Sequence, residues 1–376
     1  MQFVFNNIDK KYIKNRHEPL GDIQPKYWFL GKEHTMLVKR QHSQKVTGQA
    51  QKSKMFNHFG EYFGHLIADK AGVKACPVEL ITVHDKKNRY STSTNLYPAC
   101  GSIKVLKPHQ DLMMGEMAIH SFEFQYSEKY KEIINEQYCE KLPFDKRISL
   151  DPSDNVDIII ASVVAQTINY EKKRGKRSMD EIKADVKENV SDIINMIVYD
   201  CMFGNNDRHS QNWALYTDGE EGRLQVYPLY DNERVLGLSK PEAEIKQAVY
   251  SENLEARTEE ECFSRMGISP MHSGVSYKQM LEHLIKKYPE FALPSIKRIT
   301  TNVTVQDIED LFIASEDITS RSDFSNELTK ADELPQEYRI YAKTLYSSRR
   351  EYARDLLEKY KYIKPEKRNL EELMVI

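Results

Sequence analysis

The run VSDIINMIVYDCMF, Val190 to Phe203, puts Ile193, Ile194, Ile197, Val198 and Cys201 at helical spacing and stops at Gly204. It leads straight into NNDRHSQN, residues 205–212, a series of amides with a carboxylate, an arginine and a histidine. A helix this apolar is expected to be buried, so the loop leaving it starts from inside the fold. Polar groups in such a place must find partners or meet a ligand. This junction therefore restricts the chain to two readings, an ordinary polar loop or an active site seated on a rigid buried helix.

The residues C-terminal to this loop favour the second reading. WALY reads as a strand, TDGEEG as a turn, and RLQVYPLYDNERVLG as a returning strand that ends at Asp231. That layout brings Asp207, Asn212 and Asp231 to one mouth of the fold. An Asn and an Asp suit a Mg²⁺ that bridges nucleotide phosphates, because the ion takes few protein oxygens and keeps substrate and water ligands. A separate carboxylate five residues before the Asn can orient a hydroxyl and accept its proton. Taken singly these residues say little: NND forms Asx turns readily, and a lone His209 is an ordinary hydrogen-bonding residue. Their order and spacing carry the reading, which is the logic of phosphoryl transfer.

The residues before about Val105 read as strands and turns around one helix. KYWFLG and HTMLVKR are β-favouring runs joined as a hairpin. SKMFNHFGEYFGHLIADKAG places Phe56, Phe59, Phe63, Leu66 and Ile67 at helical spacing, with Gly72 as its stop. CPVELITVHDKKNRYSTSTNLY then returns to strand, turn and strand. Later segments near 110–124, 156–172, 178–203, 277–287 and 335–360 show helical periodicity, and EKKRGKRSMDEIKADVKE reads as solvated helix face. The expected class is α+β, a two-lobed protein-kinase-like fold with a small β-rich N-lobe, residues 1–106, and a larger mostly helical C-lobe, residues 107–376.

Charge narrows the partners. Lys and Arg number 54 against 57 Asp and Glu, net −3 over 376 residues, so no global field draws the chain to nucleic acid and no direct nucleic-acid binding is expected. The five cysteines are scattered without a C-x-x-C pair, which suits reduced thiols. The start lacks an apolar signal core, and the most apolar run, Val156–Ile168, is too short to cross a bilayer. A cytoplasmic protein without a membrane span is expected.

GNNDRHSQNWALY together with YPLYDNERVLG resembles the HipA-type serine/threonine kinases, including the shorter CtkA-like members. The resemblance implies Asp207 as catalytic base, Asn212 and Asp231 as Mg²⁺ ligands, and His209 as the residue that shapes the catalytic loop. HTMLVKR sets Lys39 late in a strand, where the family's ATP phosphate-binding lysine stands, and GEYFGHLIADKAG then makes Glu61 its partner. On a helical wheel Glu61 lies opposite the Phe56, Phe59 and Phe63 face, so it is expected to look into a polar cleft or into water. LGDIQPKYWFL is similar to the family's phosphate-loop segment, with Gly21 and Lys26 as ATP-binding residues. The cofactors implied are ATP and Mg²⁺, and the substrate a protein hydroxyl.

Longer HipA proteins carry an extra N-terminal subdomain for which this chain is expected to have no room. An inherited toxin–antitoxin partnership is therefore not implied, and that place is left to a separate small antitoxin-like or regulatory protein or to none. LGDIQPK holds no Ser or Thr, so autophosphorylation would fall on Ser43, Thr47 or Ser53 instead. Two alternatives compete. DRHSQN also matches the D-R-H-x-x-N of phosphoinositide kinases, against which stand PLYDNE and the lack of a lysine-rich loop after Asp231. A pseudokinase scaffold is opposed by retention of the base, the lysine and both metal-ligand candidates.

Overall fold

The computed structural model describes residues 2–7, 12–13, 26–31, 35–41, 43–45, 52–86, 94–106, 110–122, 152–174, 177–217, 222–259, 262–263, 275–322, 325 and 327–361. Its class is α+β, with a strand-rich first part and a helical remainder. The expected hairpin is present, Lys26–Gly31 against Thr35–Arg40, antiparallel with Tyr27 opposite Val38. It joins a six-stranded sheet in the order Asn6–Asn7, Val78–Lys86, Thr94–Ile103, Thr35–Arg40, Lys26–Gly31, Tyr12–Ile13. Side chains alternate between the two faces of a strand, which decides where each residue goes. Met36 and Val38 share one face with Ile81, Val83 and Ala99, and these form a small apolar cluster of their own. Lys39 has the opposite parity and shares its face with Cys100 and Leu80, its neighbours across the ladder.

That second face lies toward the helix Asn57–Ala71. The helix stops at Gly72, whose φ of 69° is the left-handed C-cap that glycine adopts without a Cβ penalty. Its aromatic side turns to the C-terminal helices: Phe56 packs edge-on against Tyr338 and Phe63 against Phe312, with ring centroids 5.2 and 5.3 Å apart. The helix is thus covered on two sides. Glu61 is accordingly fully buried, facing neither bulk water nor the aromatic core, so the polar cleft is the one of its two expected surroundings that the fold provides.

The helix Met179–Phe203 is the centre of the molecule. Ser178 and Glu181 form a capping box at its start, and Gly204, at φ 77°, ends it. Every residue from Ile193 to Phe203 is buried. Phe203 stacks on Tyr346 of the helix Gln336–Tyr360 at 4.9 Å, and on that helix Tyr338, Tyr341, Leu345 and Leu356 all turn inward. One continuous apolar core runs from Phe3 and Phe5 through Phe59 and Phe63 to these residues.

Three local readings differ from the structure. Residues 112–114 are a strand rather than helix, because Leu112–Met114 pairs with Ala214–Tyr216 to close a three-stranded sheet; helix begins only at 115. The strand expected to reach Asp231 ends at Val226, and Pro228 has no N–H with which to continue a ladder. The charged stretch around 171–188 is not uniformly solvated, since Glu171 and Asp185 are buried and Arg177 pairs with Asp185. Among the described residues no helix is long and apolar enough to cross a membrane.

Candidate active site

Lys39, 2% exposed, is held between the carboxylates of Glu61 and Asp231, with a Glu233 oxygen 3.9 Å away. Burial opposes its charge, but Asp231, Glu61 and Glu233 together outweigh burial and hold the ammonium well above the ordinary lysine range. The second oxygen of Glu61 accepts the backbone N–H of Asn232 at 2.8 Å. One carboxylate thereby fixes both the lysine and the turn that carries Asp231.

The turn comes close because the helix is notched for it. A Cβ on Gly60 would stand 2.1 Å from the Glu233 carbonyl oxygen, and one on Gly64 would stand 2.6 Å from Asn232 Cβ. Glycines at i and i+4 make the groove in which residues 232–233 lie. Asp231 itself adopts φ 58°, a left-handed conformation that costs an L-residue about 1–2 kcal/mol and is least unfavourable for Asn and Asp. The strain is maintained by the pairing of its side chain with Lys39 and by the anchoring of the next residue, Asn232.

Loop 205–212 alternates between inward and outward residues. Asn205, Arg208, Ser210 and Asn212 are buried, whereas Asn206, Asp207 and His209 are half-buried and Gln211 is exposed. Arg208 is the internal tie. It grips Asp200 of the preceding helix with two nitrogens, at 2.8 and 3.0 Å, and donates to Asn232 Oδ1 at 2.7 Å. Its remaining nitrogen donates to the carbonyl of Asn212 at 2.9 Å and to that of Tyr230. Two carbonyls converging on one nitrogen bring Asn212 alongside the residue that precedes Asp231. Although burial works against the guanidinium charge, Asp200 more than offsets it and keeps Arg208 ionised.

The outward residues are set by short-range bonds. The Asp207 carbonyl accepts from His209 N at 2.8 Å and from Asn212 Nδ2 at 2.7 Å. An amide whose nitrogen is so committed presents its oxygen on the opposite edge. His209 Nδ1 accepts from Gln211 N at 3.2 Å, so its ring is tied to the loop backbone. The Asp207 carboxylate meets Arg234, with Oδ2 3.1 Å from the guanidinium.

The structure thus brings together Lys39, Glu61 and Asp231 directly, and Asp207, His209 and Asn212 through Arg208 and the 231–237 turn. Lys26 stands opposite Lys39 in the hairpin register. Gly21 and Thr47 lie outside the described residues. Ser43 opens a short strand, and the Ser53 hydroxyl accepts from Ala243 N at 3.0 Å, at the start of the helix Glu242–Val249. Sequence reasoning assigned no role to Arg208, Arg234, Asp200, Gly60 or Gly64. Cys76, Cys100 and Cys201 are buried, with the Cys76 thiol pushed up to about 12 by burial and the others also raised, so none supplies a ready thiolate.

Among solved structures, the chain is similar to the proinflammatory kinase CtkA of Helicobacter pylori, with a TM-score of 0.58 at 12% identity, over 95% of this chain and 98% of that one. The chain has the CtkA kinase fold. HipA of the Shewanella oneidensis MR-1 toxin–antitoxin system, solved with HipB and operator DNA, aligns at 12% identity over 96% of this chain and 70% of that one, with a TM-score of 0.48. No protein-family model and no curated protein matches the sequence. At such low identity the CtkA likeness speaks for the fold, and what the site does must be argued from its own residues.

Proposed function

We propose that the chain is a HipA-type serine/threonine protein kinase dependent on ATP and Mg²⁺. The observation that carries this is the buried Lys39 held by Glu61 and Asp231, on a turn that Arg208 ties to the loop bearing Asp207 and Asn212. Lys39 has the charge and the fixed position to meet nucleotide phosphates. Lys26, its register partner, and Gly21 complete the proposed ATP site. In this reading the nucleotide lies between an N-lobe of residues 1–106 and a C-lobe of 107–376.

Asn212 and Asp231 would hold Mg²⁺, and their donor set fits: one carboxylate with 18% of its side chain exposed and one amide oxygen, leaving room for phosphate and water ligands. When bound, the ion neutralises charge on the β- and γ-phosphates. The chain's own part is positioning. The acceptor oxygen bonds to the γ-phosphorus as the bond to the bridging oxygen breaks, ADP leaves with that electron pair, and the hydroxyl proton passes to Asp207. His209 shapes the loop and takes no proton. A small antitoxin-like protein is the regulatory partner this reading admits.

The test compares Asp207→Asn with Asp231→Ala. Asp207→Asn is expected to retain stabilisation by Mg²⁺·ATP but lose roughly 100- to 10,000-fold in transfer of labelled phosphate to protein. Asp231→Ala should lose the stabilisation as well. Transfer at the wild-type rate by Asp207→Asn would remove the base assignment. Label appearing in phosphatidylinositol vesicles rather than in casein would make the acceptor a lipid.

A further inference from the structure

Arg234 reaches across the mouth of the site to two successive loop residues. Its guanidinium nitrogens lie 3.1 Å from Asp207 Oδ2 and 3.1 Å from Asn206 Oδ1. The other carboxylate oxygen of Asp207, Oδ1, is out of reach of solvent. Oδ2 is therefore the oxygen that an arriving hydroxyl meets, and Arg234 is the side chain that aims it. A carboxylate oxygen has two lone pairs, so Oδ2 can keep Arg234 and still accept from the acceptor.

The contact is not a loose surface pair. Arg234 lies two residues after Asn232, 1% exposed, and next to Val235, fully buried, and Val235 N donates to the Asn232 carbonyl at 3.1 Å. Positive φ values at Asp231, Leu236 and Gly237 fold this segment into one conformation, and Leu238 closes it by accepting from Phe56 N at 2.9 Å. The Arg234 side chain remains 37% exposed, so its pairing contributes little to stability. Its fork geometry, reaching two oxygens at once, is something an ammonium cannot reproduce.

We propose that Arg234 is a positioning residue for phosphoryl transfer, holding the Asp207 carboxylate in register with the acceptor hydroxyl. The proposal rests on the kinase reading of the site. Displacing a reacting group by about 1 Å costs on the order of 100-fold in rate. Arg234→Met is therefore expected to lower kcat roughly 10- to 100-fold, with KM for Mg²⁺·ATP within about twofold of wild type. Arg234→Lys should recover part of the loss. In an Asp207→Asn background Arg234→Met should cost nothing further, because Arg234 acts through that carboxylate.

The experiment measures label transfer from ATP to casein by wild type, both Arg234 variants, Asp207→Asn and the double variant, with melting temperatures alongside. The proposal is overturned by an unchanged or raised kcat in Arg234→Met, by additive losses in the double variant, or by a lowered melting temperature that Arg234→Lys fails to restore. An inactive wild type would instead sink the kinase reading, and Arg234's role with it.

Discussion

Arg208 and Arg234 both serve the same carboxylate-bearing loop, and they do so from opposite sides. Arg208 is 1% exposed and every nitrogen it carries is engaged inside the protein. Arg234 is partly in solvent and touches the loop's outward residues. Within the loop the same contrast sets buried Arg208, whose bonds are structural, against half-buried Asp207, the reagent on the kinase reading. Scaffold residues should register in stability, reagents in rate, and four substitutions can break or sharpen that division.

Arg208→Met is expected to have the largest effect, about 3–5 kcal/mol, because it leaves Asp200 charged and buried without its partner. Urea unfolding measures it; a loss below about 1 kcal/mol would mean that Asp200 is neutral or rehydrated in the variant. Gly60→Ala comes next, at about 1–3 kcal/mol, since its Cβ meets a backbone oxygen that cannot swing aside. It should also weaken Mg²⁺·ATP binding by shifting the turn that holds Asp231, and an unaffected affinity would show that the turn moves as a unit.

His58 sharpens the comparison from the apolar side. It is fully buried among Phe5, Phe56 and Phe59, and neither ring nitrogen meets a hydrogen-bond partner among the described residues. Burial pulls its pKa down to about 3, opposed by a smaller influence from Asp332 and aided by one from Lys54. A group depressed on folding stabilises fully above its unfolded pKa and loses that contribution as pH falls toward the folded value. Wild type should therefore lose about 2 kcal/mol more than His58→Leu between about pH 7.5 and about pH 5. Parallel pH profiles for the two proteins would contradict the buried neutral ring. Asp207→Asn closes the series, expected to change stability by less than about 0.5 kcal/mol while transfer collapses; a large drop in melting temperature would move Asp207 from reagent to scaffold.

The proposed reagents were more legible in the sequence than the scaffold. Asp207, Asn212 and Asp231 could be singled out because their chemistry and spacing are local properties of two short runs. Lys39 could be set late in a strand from the β-favouring run HTMLVKR, and its role came from the resemblance. Arg208 stood in plain view within DRHSQN, yet its role depends on Asp200, Tyr230 and Asn232, whose convergence only the folded chain reveals. Glu61 could be named by resemblance, but a helical wheel presumes a single covered face and this helix has two. Strand Leu112–Met114 was read as helix for the same reason, since its β character comes from pairing with residues about a hundred positions away.

Asp231 carries one last consequence. Its left-handed backbone would be relaxed by Gly, and Asn tolerates that conformation at least as well. Both replacements discard the charge that Lys39 faces, while Glu61 remains to keep the lysine from standing alone. Backbone relaxation and the charge on Lys39 thus ask for different residues at this position. Evolution toward Gly or Asn at 231 would ease the turn while leaving Lys39 to Glu61 and Glu233, so on the kinase reading the backbone strain is the cost of keeping a carboxylate at that place.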